Sequence, residues 1–324
     1  MLLAGDVGGT KTLMGLFARD RSRPQVIDTR TYRTLDFPDL GALSDQFLRD
    51  TGTSCRDIEA ASFGVAGPVA GSRAKLTNVP WLVDLETLRQ QMPIARAHLL
   101  NDLEALAWSV AVLNADEIVV LHEGVPDPRG SVALIAAGTG LGIALLPNID
   151  GRLVPQPSEG GHADFPARTP AEQALANALT AEYGRTDIER VVSGPGLANI
   201  HRLLYPHQCL ELSSVATNEE LPAAISRAAV EGSCPSCTQT LELFVSAYGA
   251  AAGNLALTVL STGGIYLGGG IAPRILPALR WPQFMESFLE KSPLDAFTAR
   301  IPVRVILNPA AGLLGAATYA NLAV

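Results

Sequence analysis

A chain of 324 residues, 48% hydrophobic and 17% charged, has the material for one large domain or two ordinary ones and excludes a disordered or fibrous protein. With 32 acidic against 24 basic residues the net charge is −8, a field that repels nucleic acid and anionic lipid, so neither is expected as a partner. Four cysteines (Cys55, Cys209, Cys234 and Cys237) are too few for a disulfide-built fold of this length.

Taken in chain order, Met1 to Val7 and Thr12 to Ala18 are short apolar runs around Gly8-Gly9-Thr10, which predicts a strand, a tight turn and a second strand. The start has no basic region and meets an acid at Asp6, unlike a secretory signal, and cytoplasm is the expected compartment. Val26 to Tyr32 predicts a third strand. Leu40, Leu43 and Phe47 fall at helical spacing in a segment ended by Gly52. Ala60 to Val65 predicts a buried strand stopped by Gly67-Pro68, Leu85 to Gln91 a helix, His98 to Leu100 a strand, and Leu103 to Leu113 a helix capped by Asp102.

The same grammar then restarts. Ser131 to Ala137 and Leu141 to Leu146 flank Gly138-Thr139-Gly140, and a helix is predicted over Ala171 to Tyr183. From Leu243 to Pro273 no residue is charged. Asn254, Gly263-Gly264 and Gly268-Gly269-Gly270 break that run into a buried helix (Leu241 to Leu260), a turn and a strand (Ile265 to Leu267), not a membrane span. Val303 to Leu307 predicts the last strand and Gly312 to Leu322 the last helix. Two halves that each open on a hairpin and continue into alternating helices and strands imply two α/β domains with a cleft between them. Segments 67–80, 147–171 and 205–218 carry most of the loop signals.

In Gly5-Asp6-Val7-Gly8-Gly9-Thr10-Lys11, glycines between two strands let backbone N–H groups point at an anion, and Asp6 at the strand end can hold hydrated Mg²⁺ against phosphates. Gly138-Thr139-Gly140 poses the same choice between a phosphate turn and a plain hairpin, and together the two suggest a nucleotide tail held between the halves. Gly268-Gly269-Gly270 after a buried strand suits either a nucleoside against bare backbone or close packing. No P-loop spacing is present. Gly138-Thr139-Gly140-Leu141-Gly142 lacks the dinucleotide-binding spacing, which makes a Rossmann dehydrogenase an unsuitable reading. Cys234-Pro-Ser-Cys237 has metal or redox spacing, but no two further ligands lie near it in sequence, so a helix start or loop is expected.

Gly5 to Thr10, Asn101-Asp102, Gly138 to Gly142, Glu159-Gly160-Gly161-His162, Glu189 to Gly196 and Gly268-Gly269-Gly270-Ile271 occur in the order seen in bacterial glucokinases, and the chain resembles that family from about Leu3 to Thr318. The resemblance implies two RNase H-like (actin-like, hexokinase-like) α/β domains flanking a cleft, with a small domain of 1–110 plus 309–324 and a large one of 111–308. It implies an ATP-dependent kinase of D-glucose, with Mg²⁺, acting as a homodimer. Carried over by motif, Asp102 is the catalytic base, and Asn78, Asn101, Asp102, Glu159, His162 and Glu189 hold the sugar. Gly5, Asp6, Val7, Gly8, Gly9, Thr10, Gly138, Thr139, Gly140 and Gly269 hold ATP, with Asp6 on the metal. A carboxylate at the head of a helix suits the base role, since the helix dipole favours its ionised form and it can accept a hydroxyl proton. The chain departs from the family's usual Gly-Gly-Thr-Asn at Lys11 and lacks the cysteine-rich zinc motif of the related repressor and open-reading-frame kinase group. A kinase of another hexose or amino sugar, or a sugar-sensing regulator on the same scaffold, is the alternative.

Overall fold

Ala60–Val65 and Val132–Ala137 are buried at every position, the pattern of parallel strands covered on both faces. Each lies inside one of two sheets in the computed structural model, which describes residues 1–76, 79–94, 96–206, 209, 212, 217 and 220–323. The chain forms two units, Met1–Ala115 with Asn308–Val324, and Asp116–Leu307.

In the first unit, β1 (Leu2–Val7), β2 (Lys11–Ala18), β3 (Gln25–Arg33), β4 (Ala60–Val65) and β8 (Ala97–Asn101) form a sheet in the order β3-β2-β1-β4-β8. The first three are antiparallel, while β1, β4 and β8 are parallel and bring Val7, Val65 and Asn101 level at their carboxyl ends. A small meander, β5 (Val69–Ala70), β6 (Arg73–Lys75) and β7 (Leu82–Asp84), stands apart from that sheet. Helix α1 (Leu40–Thr51) is capped by Asp39 and ends at Gly52 in the left-handed conformation, and α2 (Leu85–Gln91) is capped by Asp84. Helix α3 (Asp102–Ser109) and α11 (Ala311–Leu322) cover one face of the sheet, where Leu313, Ala316, Ala317 and Ala320 pack on Leu2, Ala4 and Ala60.

The second unit repeats this order. Strands β10 (Val132–Ala137), β11 (Leu141–Leu146) and β14 (Gln156–Ser158) are antiparallel neighbours, and β15 (Gly264–Gly268) and β16 (Val303–Ile306) continue parallel to β10. Strand β9 (Ile118–His122) adds an antiparallel edge, and β12 (Asn148–Ile149) with β13 (Arg152–Leu153) is a separate ribbon. Helices α4 (Pro170–Tyr183), α5 (Gly194–Leu204), α6 (Leu221–Glu231) and α7 (Pro235–Val259) enclose the main core with the shorter α8 (Leu276–Leu279), α9 (Pro282–Leu289) and α10 (Asp295–Thr298). Tyr248 on α7 is fully buried, meets Phe244 and Phe284 edge to face, and donates its hydroxyl to the Ile135 carbonyl at 3.2 Å.

Three expectations need correction. Helix α7 starts at Pro235, not near Leu241, because the polar Ser236 and Thr240 are buried with it; Thr240 bonds back to the Ser236 carbonyl at 2.7 Å. Asp102 is the first residue of α3, not its cap: Asn101 caps it, its Oδ1 accepting from the Leu103 N–H at 2.9 Å. That helix stops at Ser109 and tightens into a 3-10 turn over Val110–Val112, short of Leu113. Among the described residues no helix is long and apolar enough to cross a membrane.

Candidate active site

The carboxyl ends of parallel strands are where open α/β sheets place their ligands. In the first unit that end holds the turn Gly8-Gly9-Thr10, Asp6 and the β8–α3 junction. The turn is closed by the Gly8 N–H donating to the Lys11 carbonyl at 3.1 Å and is braced from β3's end. Thr34 donates its hydroxyl to the Gly8 carbonyl at 2.8 Å and its N–H to the Thr10 carbonyl at 3.1 Å. Gly9 and Thr10 keep their N–H groups out of these bonds, as an anion cradle needs.

Asp6 lies beside that turn and against the first turn of α11. A Cβ at Gly312 would stand 2.7 Å from the Asp6 carboxylate, so a bare residue is needed there. Burial, reinforced by the negative charge of Asp102, raises the Asp6 carboxyl from 3.8 to about 6. No ion pair among the described residues involves Asp6. The Asn101 amide is partly committed, its nitrogen donating to the Gly67 carbonyl at 3.2 Å and its oxygen capping α3. Asp102 Oδ1 accepts from the Leu103 N–H at 2.8 Å.

The electrostatics of Asp102 differ from expectation. Surrounding protein raises its carboxyl above the ordinary value, although the Leu103 and Asp102 N–H groups and the Asn101 side chain pull the other way. Helix-end stabilisation is present but loses to desolvation. The residue remains exposed at its surface, where solvent screens the interaction.

In the second unit the turn Gly138-Thr139-Gly140 is closed by the Gly138 N–H on the Gly140 carbonyl at 2.8 Å. The Gly138 carbonyl accepts from the Gly194 N–H at 2.8 Å, which seats the turn at the N-terminus of α5. Ser193 caps this helix, accepting from the Gly196 N–H at 3.0 Å and donating to the Glu189 carbonyl at 2.7 Å. The dipole at that end favours an anion near the turn, although the Gly194 and Gly196 N–H groups are already bonded and Pro195 has none.

Glu189 joins this turn to a second cluster. Its Oε2 accepts from the Leu141 N–H at 2.8 Å, and Gly140 leaves room for it, since a Cβ there would lie 2.5 Å from that oxygen. Its other oxygen lies 4.0 Å from His162 Nδ1. Asp187 Oδ2 stands 3.8 Å from the same nitrogen, and Glu159 Oε2 4.0 Å from His162 Nε2. Gly160-Gly161 lets the chain turn tightly between Glu159 and His162. At these separations the carboxylates and imidazole make no direct hydrogen bonds, so hydroxyl groups of a ligand can insert among them. Asp187 is absent from the expected ligand set. Its position two residues before Glu189, in the same turn, is the signal that could have found it.

Gly269 sits at φ 79°, and a Cβ there would lie 2.4 Å from the Ala137 carbonyl oxygen, so close packing on β10 accounts for this glycine. Gly270 beside it faces open space. Gly269→Ala is expected to destabilise the fold by about 2–4 kcal/mol, from left-handed strain plus overpacking, read as a lower Tm; an unchanged Tm contradicts that packing. Asn78 lies outside the described residues.

Comparison with known proteins gives these features a context. A family model described as Glucokinase matches residues 3–323. A glucokinase from a Synechocystis species is 39% identical, over 98% of this chain and 97% of its own. A crystal structure of glucokinase from an Antarctic psychrotroph superposes with a TM-score of 0.87 at 28% identity, covering 99% of this chain and 98% of that one. A ROK family glucokinase from Streptomyces griseus, solved with glucose and AMPPNP, shares the fold with a TM-score of 0.66 at 22% identity, covering 99% of each chain.

Proposed function

The chain belongs to the glucokinase family and is an ATP-dependent sugar kinase, and from that premise we propose that it transfers the γ-phosphoryl group of ATP to the 6-hydroxyl of D-glucose. The observation that carries the reading is Glu189. One of its oxygens holds the Leu141 N–H at the end of a phosphate-type turn, and the other faces His162 within a polyhydroxyl-binding cluster. A group that serves both halves of the chemistry fits a reaction in which a sugar and a phosphate chain must be held together.

In the proposed step the 6-oxygen forms a bond to the γ-phosphorus as the bond to the β,γ-bridging oxygen breaks, and ADP departs. Asp102 Oδ2 accepts the hydroxyl proton. Asp102 Oδ1 stays on the Leu103 N–H, which fixes the carboxyl plane. The sugar's hydroxyls are held by Asn101, Glu159, His162 and Glu189, with Asn78 as a further ligand by resemblance and Asp187 added from the geometry. The Gly8-Gly9-Thr10 and Gly138-Thr139-Gly140 turns offer N–H groups to phosphate oxygens, with the bare backbone near Gly269 and Gly270 available to the nucleoside.

Asp6 is a hard oxygen donor raised by burial and by the charge of Asp102, and no ion pair among the described residues involves it, so it suits Mg²⁺. When bound there, the ion would neutralise charge on the phosphates.

A pyruvate kinase–lactate dehydrogenase assay of ADP release, with sugar, nucleotide and Mg²⁺ each omitted in turn, tests the proposal. Glucose is expected to support turnover with kcat/KM at least about tenfold above mannose, fructose and glucosamine, the discrimination available to a site that hydrogen-bonds each hydroxyl. A higher value for another hexose reassigns the substrate within the family, and no sugar-dependent ADP release from any of them overturns the proposal.

A further inference from the structure

Cys234 is the N-cap residue of α7 and Cys237 lies in its first turn. The fold brings a third thiol to them from the segment after α5. Cys209, Cys234 and Cys237 place their sulfur atoms within 4.8 Å of one another, and Cys237 Sγ lies 3.8 Å from Cys209 Sγ. All three are buried, with exposures of 9%, 5% and 0%, whereas Cys55 is partly open. No disulfide joins them. Among the described residues no other group of three histidine, cysteine or acidic side chains meets in this way.

We propose that Cys209, Cys234 and Cys237 form a three-thiolate site for a thiophilic d¹⁰ cation, with Zn²⁺ as the ion it would take. Zn–S bonds of about 2.3 Å in a tetrahedron set sulfurs about 3.8 Å apart, the separation already present between Cys209 and Cys237. The Cys-x-x-Cys spacing at a helix start points both of its sulfurs the same way, and soft sulfur donors select zinc over the oxygen-loving Mg²⁺.

The Ser236 hydroxyl lies 3.2 Å from Cys234 Sγ, within reach of a bound thiolate, and a cation that binds displaces the thiol protons to solvent. A burial this complete keeps the three thiols away from oxidants.

The site would tie Cys209 to the head of α7, in the unit that contains the Gly138 turn. This sequence connection is invisible to a motif scan, because Cys209 lies far from the Cys-x-x-Cys pair and has no motif of its own.

The test uses the reduced full-length chain, loaded with Zn²⁺ and desalted, or loaded with Co²⁺ as a spectroscopic substitute. One zinc per chain is expected by elemental analysis, and Co²⁺ should give the near-ultraviolet sulfur-to-cobalt charge-transfer absorption that carboxylate sites cannot produce. Ellman's reagent on the native zinc-loaded protein should react readily with Cys55 alone. Cys209→Ala should weaken zinc affinity at least about tenfold, while Cys55→Ser should leave it unchanged. Should Cys209→Ala fail to fold, the wild-type cobalt spectrum still decides. Zinc retained without a thiolate band, no uptake by the reduced chain, or equal retention by the Cys234→Ala/Cys237→Ala double variant would each overturn the site.

Discussion

Replacing Asp102 by asparagine is expected to lower kcat by about 10³-fold while glucose affinity stays within about tenfold of wild type. The asparagine oxygen can still accept the Leu103 N–H at 2.8 Å, so the start of α3 keeps its geometry and Tm should hardly move. What disappears is a group able to take the proton of the attacking hydroxyl. Alanine at the same place removes both, adding the loss of one exposed hydrogen bond worth about 1 kcal/mol. Calorimetric titration with glucose beside the coupled assay separates the two variants' effects on binding and on turnover. If either variant turned over near the wild-type rate, Asp102 would have no part in the proton transfer.

The asparagine variant is informative because the capping role expected of Asp102 falls to Asn101. An acid heading a helix reads naturally as its cap, yet Asn101 ends β8 in extended conformation with its oxygen on the Leu103 N–H, and Asp102 occupies the first helical position. Capping preference ranks aspartate and asparagine nearly equal, so adjacent candidates cannot be separated by residue type. Asp102 shares the Leu103 N–H with the true cap, so the capping role does not rest on it alone.

Other parts of the fold were legible where a single physical signal dominates. Continuous apolar runs between glycine turns mark the β1–β2 and β10–β11 hairpins, because buried strands are built mainly of apolar residues, with Asp6 and Thr12 the exceptions near the first turn. Helix α5 was not legible. Gly194 and Gly196 have poor helix propensity, and only Ser193's cap and the seat on the Gly138 carbonyl make a helix start there. The seven residues of α2 were found in full, since Asp84 and a short apolar pattern leave few alternatives. Within the candidate site, Glu159, His162 and Glu189 came from the order of motifs, while Asp187 and Cys209 are known only from what the chain folds against. A pattern of neighbours in sequence cannot report a residue whose partners are distant.

Asp6→Asn should make the protein more stable and less active at once. A carboxyl that ionises at about 6 when folded, but near 3.8 when unfolded, binds its proton more tightly in the folded state. Stability from this group therefore falls as pH rises between those values, and the deficit is complete above about pH 6. The difference between 3.8 and about 6 corresponds to about 3 kcal/mol, reduced in practice by the partial exposure of the side chain. Asparagine carries no charge to desolvate and none to oppose Asp102, so the variant should unfold several degrees above wild type at pH 7.5 and at the same temperature near pH 4. Kinase activity should fall at least about 10²-fold, the scale of losing one electrostatic support of a developing charge. Mg²⁺ supplies an independent check: by neutralising the same carboxylate it should raise the wild-type Tm at pH 7.5 and leave that of Asp6→Asn unchanged. A variant no more stable than wild type at pH 7.5 would mean that Asp6 is not strained by its surroundings. One that also kept full turnover would take it out of the phosphate site. The gain in stability and the loss of activity have one origin, since a buried carboxylate without a cation is costly to the empty fold and becomes favourable only when a positive charge arrives.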